Sequence, residues 1–395
     1  MLSGYSIVCF GGEDWWYHHP HSKTHLLKRL ARTNKVLFVN SISMGLPRVS
    51  APDFFLKIRR KLRSYARFLR RTQEGILVLT PVVIPAFGSP ALRRLNRWLL
   101  AVQLRWLLRR CGMTRPLLWV AIPTAADLVG TLDEQIVIYQ VSDKYDANTM
   151  DHNLPPALIQ QLHQRLLDKA DLVLYSGRRL FEEAHEFREK SRFLEQGVDF
   201  AHFARTGELA GNPPRELAGL QRPILGYFGA LDFVIDQELV RYVAARRPEW
   251  SWVFIGLKSN ALQVESLSNV RVLGPRPYAE MPRYAAAFDV CVLPWDLKNR
   301  FVAYGSALKV REYLASGKPV VIMALPEYES WGSVLRIAHS YDEFIAKVED
   351  ALAERIPEAA RRRQQSVRGH TWDIRVEQFS LWVEEALRQK TGTGN

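Results

Sequence analysis

The sequence has few cysteines, and this scarcity excludes whole classes of protein. Cys9, Cys111 and Cys291 are the three cysteines in 395 residues, and they are far apart and odd in number. A disulfide framework is therefore excluded, and a reducing compartment is expected. None of the cysteines has the spacing of a metal site, and the histidines among residues 18–25 match no zinc signature. We expect no bound metal.

Long apolar runs are also missing. Residues 1–10 lack a basic stretch followed by an apolar core, so the sequence predicts no secretory signal. The best apolar run, residues 75–88, is interrupted by Pro81 and Pro85. It is shorter than the roughly 20 residues that a helix needs to cross a bilayer. We therefore expect no transmembrane helix and a cytoplasmic location.

Acidic residues are nearly absent from one segment of a chain whose net charge is +13. Residues 54–110 contain 14 Lys and Arg against one acid, Glu74. Within them, residues 54–71 and 92–110 each have the pattern of a basic amphipathic helix, which suits the surface of an anionic bilayer. Ordinary domain helices with solvated basic faces are the alternative. No nucleic-acid recognition motif is found, so no nucleic acid is expected as a partner. In the second segment the predicted apolar stripe consists of Leu95, Leu99, Val102 and Trp106.

The order of apolar runs predicts an α/β protein. Residues 6–40 follow the order strand, loop, helix, strand, and the same order begins again at Pro223. A chain of this length favours two domains, and the Gly-Asn-Pro-Pro stretch at residues 211–214 is typical of a linker. We predict an N-terminal domain of residues 1–210, a second domain of residues 211–370 and a final helix in residues 371–395. The glycines after the first strand are adjacent rather than spaced, so a dinucleotide fingerprint is not indicated.

Residues 306–325 contain the strongest indication of a ligand-binding site. Their pattern predicts a helix, a glycine that ends it and a buried strand. Ser306 is the candidate N-cap. Lys309 and Glu312 are three residues apart and share a face near the helix N-terminus. Unpaired N–H groups at such a terminus, together with a lysine, suit a diphosphate, and a carboxylate can accept hydrogen bonds from ribose hydroxyls. An exposed ion pair is the alternative interpretation.

Residues 309–321, Lys-x-x-Glu-Tyr-Leu-Ala-x-Gly-Lys-Pro-Val-Val, resemble the nucleotide-sugar-binding segment of GT-B glycosyltransferases, especially the branch related to family 4. The resemblance implies two Rossmann-like domains facing across a cleft, with a C-terminal helix that crosses back. It also implies that Lys309 contacts the donor diphosphate and that Glu312 holds the ribose. Many members carry an earlier glutamate where this chain has Tyr304, which leaves the donor sugar and the stereochemical course open. The same helix start adds three donor-site candidates: Ser306, Ala307 and Leu308.

Two further loops resemble donor-site loops of that family. Gly229 and Ala230 resemble the turn beside the diphosphate, where a glycine lets a phosphate approach the backbone. Residues 274–282 resemble the loop that binds the nucleobase, and Arg276 or Tyr278 is expected to stack on the base unless it is an ordinary surface residue. The Gln-Gly-Val-Asp sequence at residues 196–199 is similar to the turn that closes the first domain in the family.

The resemblance places the acceptor in the N-terminal domain. The first loop and the start of the next helix line the acceptor side in GT-B enzymes, which implies contacts from Trp15, His21 and His25. Asp143 follows a predicted strand, at the end where α/β proteins place catalytic groups. It also matches a position where enzymes of the xanthan glucuronosyltransferase type carry the proposed base. A helix cap is the alternative role for this residue.

The resemblance, together with these residues, implies a metal-independent glycosyltransferase without a cofactor. It would move a sugar from a nucleoside diphosphate, UDP being favoured, to a lipid-linked oligosaccharide at the inner face of the cytoplasmic membrane, in exopolysaccharide, capsule or cell-wall glycan synthesis. A GT-B enzyme that is not a transferase, such as a hydrolysing UDP-sugar epimerase, remains one alternative. A non-catalytic basic protein that binds membranes or nucleic acid remains the other.

Overall fold

The computed structural model describes residues 1–16, 20–42, 68–84, 89–145, 154–209, 211–259, 262–354 and 356–392. The chain divides into two compact units. The N-terminal unit comprises Met1–Glu195 and Arg375–Asn395, and the C-terminal unit comprises Gln196–Ile374. The first division thus lies at the Gln-Gly-Val-Asp turn, ahead of the linker proposed from composition. Each unit is a largely parallel sheet covered by helices.

The N-terminal sheet has the strand order β3-β4-β2-β1-β5-β6-β7-β8 in the described residues. Its pairings are parallel except that of β3 with β4. Central strands are buried along their whole length, which is why they have continuous apolar sequences rather than alternating ones. The strands are β1 Ser6–Phe10, β2 Lys35–Val39, β3 Leu69–Arg71, β4 Leu77–Leu79, β5 Leu117–Val120, β6 Ile136–Val141, β7 Leu172–Tyr175 and β8 Ser191–Phe193.

The described helices of this unit differ from the predicted ones at one basic segment. The helices are α1 Ser22–Leu30, α2 Pro90–Arg110, α3 Pro156–Lys169 and α4 Arg178–Glu182. The predicted helix over residues 54–71 is wrong at its end, since Leu69–Arg71 form strand β3 against β4. A tight turn causes this: Gly75 has φ +87°, and the Thr72 N–H donates to the Ile76 carbonyl. Residues 54–67 lie outside the described residues.

The C-terminal sheet is entirely parallel, in the order β11-β10-β9-β12-β13-β14. Asp236 caps the helix α6 Gln237–Arg246, since its Oδ1 accepts a hydrogen bond from the Leu239 N–H at 2.9 Å. The strands are β9 Ile224–Phe228, β10 Ser251–Ile255, β11 Val270–Leu273, β12 Val290–Leu293, β13 Val320–Met323 and β14 Arg336–Ala338. The helices are α5 Phe200–Ala204, α6 Gln237–Arg246, α7 Met281–Ala287, α8 Leu308–Ala315, α9 Tyr341–Ala353 and α10 Pro357–Arg368.

Both sheets reverse their strand order once, and these reversals position the candidate sites. In the N-terminal unit the reversal lies between β1 and β5, and in the C-terminal unit it lies between β9 and β12. Connections leave the two strands of each pair toward opposite faces of the sheet, so a crevice opens beyond their carboxyl ends. Gly11 follows β1, and Gly229 follows β9. Ligands are therefore expected at these two loops.

The last helix, α11 Trp372–Gly392, belongs to the N-terminal unit from Arg375 onward. Its Phe379 is fully buried, and the ring stacks on Trp119 of β5 with centroids 4.7 Å apart. No helix in the described part of the chain is both long enough and apolar enough to cross a bilayer.

We predict that Phe379→Ala destabilises the N-terminal unit by about 3–5 kcal/mol, because it removes a fully buried aromatic ring and leaves a cavity. The measurement is the urea midpoint followed by circular dichroism. Leu381→Ala on the same helix is the matched control, since Leu381 is 63% exposed and its truncation removes no core packing. An equal effect of the two substitutions would show that α11 is not anchored through Phe379.

Candidate functional site

The ammonium group of Lys309 is held by two aromatic residues near the carboxyl ends of β9 and β12. Lys309 Nζ donates a hydrogen bond to Tyr227 Oη at 2.9 Å, and Trp295 Nε1 donates to the same oxygen at 3.3 Å. The Tyr227 hydroxyl donates in turn to the Ala230 carbonyl at 3.0 Å. A phenol has one hydrogen to donate and two lone pairs, so these three bonds use its whole capacity. We call Tyr227, Trp295 and Lys309 the lysine cluster.

The rings of this cluster also stabilise the positive charge. Lys309 Nζ lies 4.5 Å from the centroid of Tyr227 and 5.1 Å from that of Trp295, within the range of cation–π attraction. Lys309 itself is half-buried. Its ammonium is therefore fixed at the reversal point of the sheet rather than extended into solvent, and it can still meet a ligand there.

Gly229 allows the backbone after β9 to approach the ammonium. A Cβ atom at this position would lie 2.4 Å from Lys309 Nζ, closer than any real contact. The residue also has φ +140°, which side chains rarely allow. Only glycine is compatible with this packing, and the result is a loop backbone adjacent to a fixed cation.

Helix α8 begins at Leu308 and has no side-chain cap at its N-terminus. Its N-cap is Ala307, and its first turn contains no acid. The prediction of Ser306 as the N-cap is wrong, because the Ser306 hydroxyl donates instead to Glu327 Oε1 at 3.1 Å. The Ala307 carbonyl accepts from the Tyr328 hydroxyl at 2.8 Å, which fixes the start of the helix. An uncapped helix start beside Lys309 is suited to a bound anion.

Glu312 lies one turn further along α8 and is 3% exposed. Burial raises the pKa of its carboxyl group to about 7, and the charge of Asp199 adds to this, while a hydrogen bond from Tyr278 and the charge of Lys309 oppose it. Tyr278 Oη lies 3.0 Å from Glu312 Oε1. The Tyr278 ring stacks on His202 of α5, with centroids 5.0 Å apart. The loop of residues 274–282 is thereby connected to the predicted ribose-binding carboxylate.

The predicted donor-site residues do not all come together. Gly229, Ala230 and Tyr278 contact the lysine cluster or Glu312, as described above. Arg276 instead donates to Glu216 Oε1 at 3.2 Å and to Tyr284 Oη at 2.9 Å. Of the two residues predicted to stack on a base, Tyr278 is the one linked to α8.

In the N-terminal unit, Asp143 follows β6 at the predicted position and lies near an ion pair. Lys23 Nζ of α1 is 3.4 Å from Glu13 Oε2, and Lys23 is 7% exposed. Burial raises the pKa of the Asp143 carboxyl group, the charge of Lys23 opposes this, and the charge of Glu13 adds to it. Glu13 Oε1 is buried without a hydrogen-bond partner. The loop after β1, the start of α1 and the end of β6 therefore form one electrostatic cluster.

The three predicted acceptor contacts lie on this loop and helix, in different environments. The Trp15 N–H donates to Asn40 Oδ1 at 3.0 Å, and its ring meets Phe38 edge-on. His21 is the N-cap of α1, whereas His25 is buried on the inner face of that helix. The described residues contain no group of three or more His, Cys, Asp or Glu side chains that could hold a metal ion.

Four residues of these clusters were not predicted from the sequence: Tyr227, Trp295, Glu13 and Lys23. Each lies at or just after the carboxyl end of a strand at a reversal point, or at the start of the helix that follows. Strand order is the signal that would have identified them. It depends on pairings between distant segments, so local spacing does not reveal it.

Residues 222–358 match the family Glycosyl transferases group 1. This range contains Gly229, the lysine cluster and Glu312. A protein of Bacillus subtilis (strain 168), provisionally named the teichuronic acid biosynthesis glycosyltransferase TuaH, is 26% identical over 224 residues. The match covers 53% of this chain and 55% of that protein, so the chain spans about half the length of its curated relative.

Two solved structures show the same fold. The sucrose-phosphate synthase of Thermosynechococcus elongatus superposes with a TM-score of 0.68 at 14% identity, over 97% of this chain and 98% of that one. The Anabaena protein HepE, in complex with UDP and glucose, has a TM-score of 0.68 at 14% identity, over 96% of this chain and 99% of that one. The predicted GT-B fold is confirmed. The family match is confined to residues 222–358, in the C-terminal unit, and the narrower resemblance to the xanthan type stays a prediction.

We predict that Glu312→Gln stabilises the ligand-free protein at pH 8 more than at pH 5. The pKa of Glu312 is raised from 4.5 to about 7, so the native state binds more protons than the unfolded state between these values. The carboxylate therefore costs stability as pH rises through this window, up to about 3 kcal/mol above it. Glutamine has no charge to bury and can still accept from Tyr278.

Thermal melting at the two pH values measures this difference. Glu329→Gln, at an exposed glutamate of the same unit, is the control and is expected to change neither melting temperature. Equal stabilisation by Glu312→Gln at pH 5 and pH 8 would contradict a raised pKa at this site.

Proposed function

We propose that the protein transfers a sugar from a nucleoside diphosphate donor, UDP being favoured, to a lipid-linked oligosaccharide at the inner face of the cytoplasmic membrane. The reaction would belong to the synthesis of an exopolysaccharide, a capsule or a cell-wall glycan. The observation that carries this proposal is the fixed Lys309 ammonium beside the uncapped start of α8. The name of the Bacillus relative and the UDP in the HepE structure support the reaction class and the nucleotide.

Such a transfer first requires that the negative charge on the leaving group be stabilised. When the bond from sugar to diphosphate breaks, negative charge develops on the departing phosphate. Lys309 and the first N–H groups of α8 are positioned to stabilise that charge, and Gly229 lets the loop backbone approach it. Because these groups are in place before the donor binds, little reorganisation is needed at the moment of reaction. We infer that this arrangement replaces a metal ion.

Glu312 would accept hydrogen bonds from the two ribose hydroxyls. An ionised carboxylate has enough acceptor positions for both of them. In the ligand-free protein Tyr278 donates to one of its oxygens, so the ribose would share or displace that bond. The loop that carries Tyr278 would then lie beside the nucleobase.

Asp143 is the proposed base of the reaction if the anomeric configuration inverts. It would accept the proton of the acceptor hydroxyl as that oxygen attacks the sugar. A carboxylate is a stronger base when its pKa is higher, and burial raises the pKa of Asp143. Trp15 and His21, on the loop and helix start of the same unit, are the proposed acceptor contacts.

A lipid-linked acceptor would place the enzyme at a membrane surface. The predicted membrane segment of residues 92–110 corresponds to helix α2, which has six arginines and no acid. The excess positive charge of residues 54–110 would draw the protein to anionic lipids.

We predict that UDP binds to the wild-type protein and that Lys309→Ala lowers its affinity about 10- to 100-fold, since a charge-assisted bond to the diphosphate is lost. Gly229→Ala should weaken binding about tenfold, because the new methyl group would lie 2.4 Å from Lys309 Nζ and displace the ammonium group. Isothermal titration calorimetry is the measurement. Gly219→Ala is the matched control, having a positive φ of +77° but open space around it. Absence of UDP binding in the wild type would refute the proposed donor.

We predict that Asp143→Asn leaves UDP affinity unchanged and lowers transfer about 10²- to 10⁴-fold, the usual contribution of a general base. The assay measures UDP released from a panel of UDP-sugars, with and without a lipid extract that carries polyprenyl-linked glycans. Turnover that needs no lipid extract would favour the hydrolysing epimerase. Full transfer by Asp143→Asn would exclude this residue as the base.

A further inference from the structure

Helix α2 is apolar on two opposite faces. The inner face is buried in the N-terminal unit through Leu100, Leu104, Leu107 and Leu108. The outer face carries Leu95, Trp98, Val102 and Trp106, which are 41%, 60%, 47% and 55% exposed. At about 100° per residue these four side chains lie within an arc of about 80°. A helix that is apolar on both sides is normally covered on both sides, and in the described structure only the inner one is covered.

This outer face differs from the predicted one at a single residue. The sequence stripe included Leu99, but Leu99 is half-buried and Trp98 is the exposed side chain instead. The exposed face therefore has two tryptophans rather than one.

One flank of α2 is closed by two amide side chains. Asn96 accepts from the Ile84 N–H at 2.8 Å and donates to the Ile84 carbonyl at 2.7 Å. Gln103 accepts from the Val82 N–H and donates to the Val82 carbonyl, both at 2.9 Å. The extended segment beside the helix thus has satisfied backbone groups at both residues. Val82, 51% exposed, extends the apolar face without adding unpaired polar atoms.

The other flank is fixed by two arginines. Arg93 Nε lies 3.1 Å from Asp127 Oδ2, and Arg105 Nε donates to the Thr131 carbonyl at 2.8 Å. The helix is therefore held on both flanks and along its inner face. Its exposed tryptophans are not needed to keep it in place.

The charge around the outer face indicates what covers it. Arg94, Arg109 and Arg110 are exposed on or beside this face, and α2 contains no acidic residue. Two copies of such a face would repel each other in a symmetric dimer. Arginine binds phosphate groups through paired hydrogen bonds, and tryptophan prefers the headgroup region of a bilayer. An anionic lipid surface supplies both the negative charge and the apolar layer.

We propose that Val82 and the outer face of α2 form a membrane-docking surface that inserts shallowly among the headgroups of anionic lipids. The proposal rests on the proposed function for its biological setting, because a lipid-linked acceptor requires an enzyme at the bilayer. Docking itself requires neither donor nor acceptor. It can therefore be tested on the protein alone.

The test is sedimentation of the full-length protein with vesicles of phosphatidylcholine alone and of phosphatidylcholine with phosphatidylglycerol. The wild type should bind the anionic vesicles, and less strongly as salt is raised. W98S/W106S should lower the partition coefficient at least about tenfold, through loss of buried aromatic area. R94Q/R109Q/R110Q should lower it about 100-fold, at roughly fivefold for each charge.

Matched controls test whether the loss of vesicle binding is specific to this face, and not a result of removing any exposed leucine or arginine. L381S removes a leucine that is 63% exposed on α11 of the same unit, and R361Q/R362Q/R368Q removes three exposed arginines from α10. Both should bind vesicles like the wild type. UDP titration of W98S/W106S should match the wild type as well, so a failure of docking is distinguishable from a failure of the proposed donor site.

Two results would overturn the proposal. Unchanged binding of W98S/W106S to anionic vesicles would show that this face does not dock. A wild-type dimer that W98S/W106S converts to a monomer, measured by light scattering without lipid, would show that a second copy of the chain covers the face instead.

Discussion

The hydrogen bond from Lys309 to the Tyr227 hydroxyl is the interaction on which the donor site depends. It requires β9 and β12 to be neighbours, so that Tyr227 and Trp295 reach the same point, and it requires α8 to begin beside them. It also requires a glycine at residue 229, where any side chain would displace the ammonium. Each requirement is satisfied by a different segment of the chain. The Lys309 side chain therefore loses its conformational entropy during folding and not during ligand binding.

The same packing explains why Glu312 is tolerated in a buried position. A carboxyl group with little solvent contact disfavours its ionised form, and its pKa rises accordingly. Tyr278 and Lys309 offset part of that penalty without removing it. If this position bound no ligand, an apolar residue there would make the protein more stable. A buried carboxyl group that lowers the stability of the protein is characteristic of a site whose polar partners arrive with a ligand.

Local sequence was sufficient where local interactions decide the structure. Buried parallel strands have continuous apolar runs, and the spacing of Lys309 and Glu312 places them on one helix face, so both features were predictable. Two features were missed. Leu69–Arg71 pairs with β4 through the turn at Gly75, where the apolar stripe had favoured a helix, and the Ser306 hydroxyl donates to Glu327, which lies 21 residues further along the chain. Helix α10 was missed for another reason. It is held through Arg363, which is buried against Glu354, so it has almost no apolar periodicity to detect.

The two units present their positively charged side chains in different arrangements. In the C-terminal unit a single cation is fixed among aromatic rings, an arrangement suited to one small anion of defined shape. In the N-terminal unit Arg94, Arg109 and Arg110 border an exposed apolar face of α2, an arrangement suited to a fluid surface with many phosphates. A helix can present such a face only if nearby backbone groups need no water. Asn96 and Gln103 meet that condition, because they satisfy the backbone of residues 82 and 84 that would otherwise have to be hydrated beside the tryptophans.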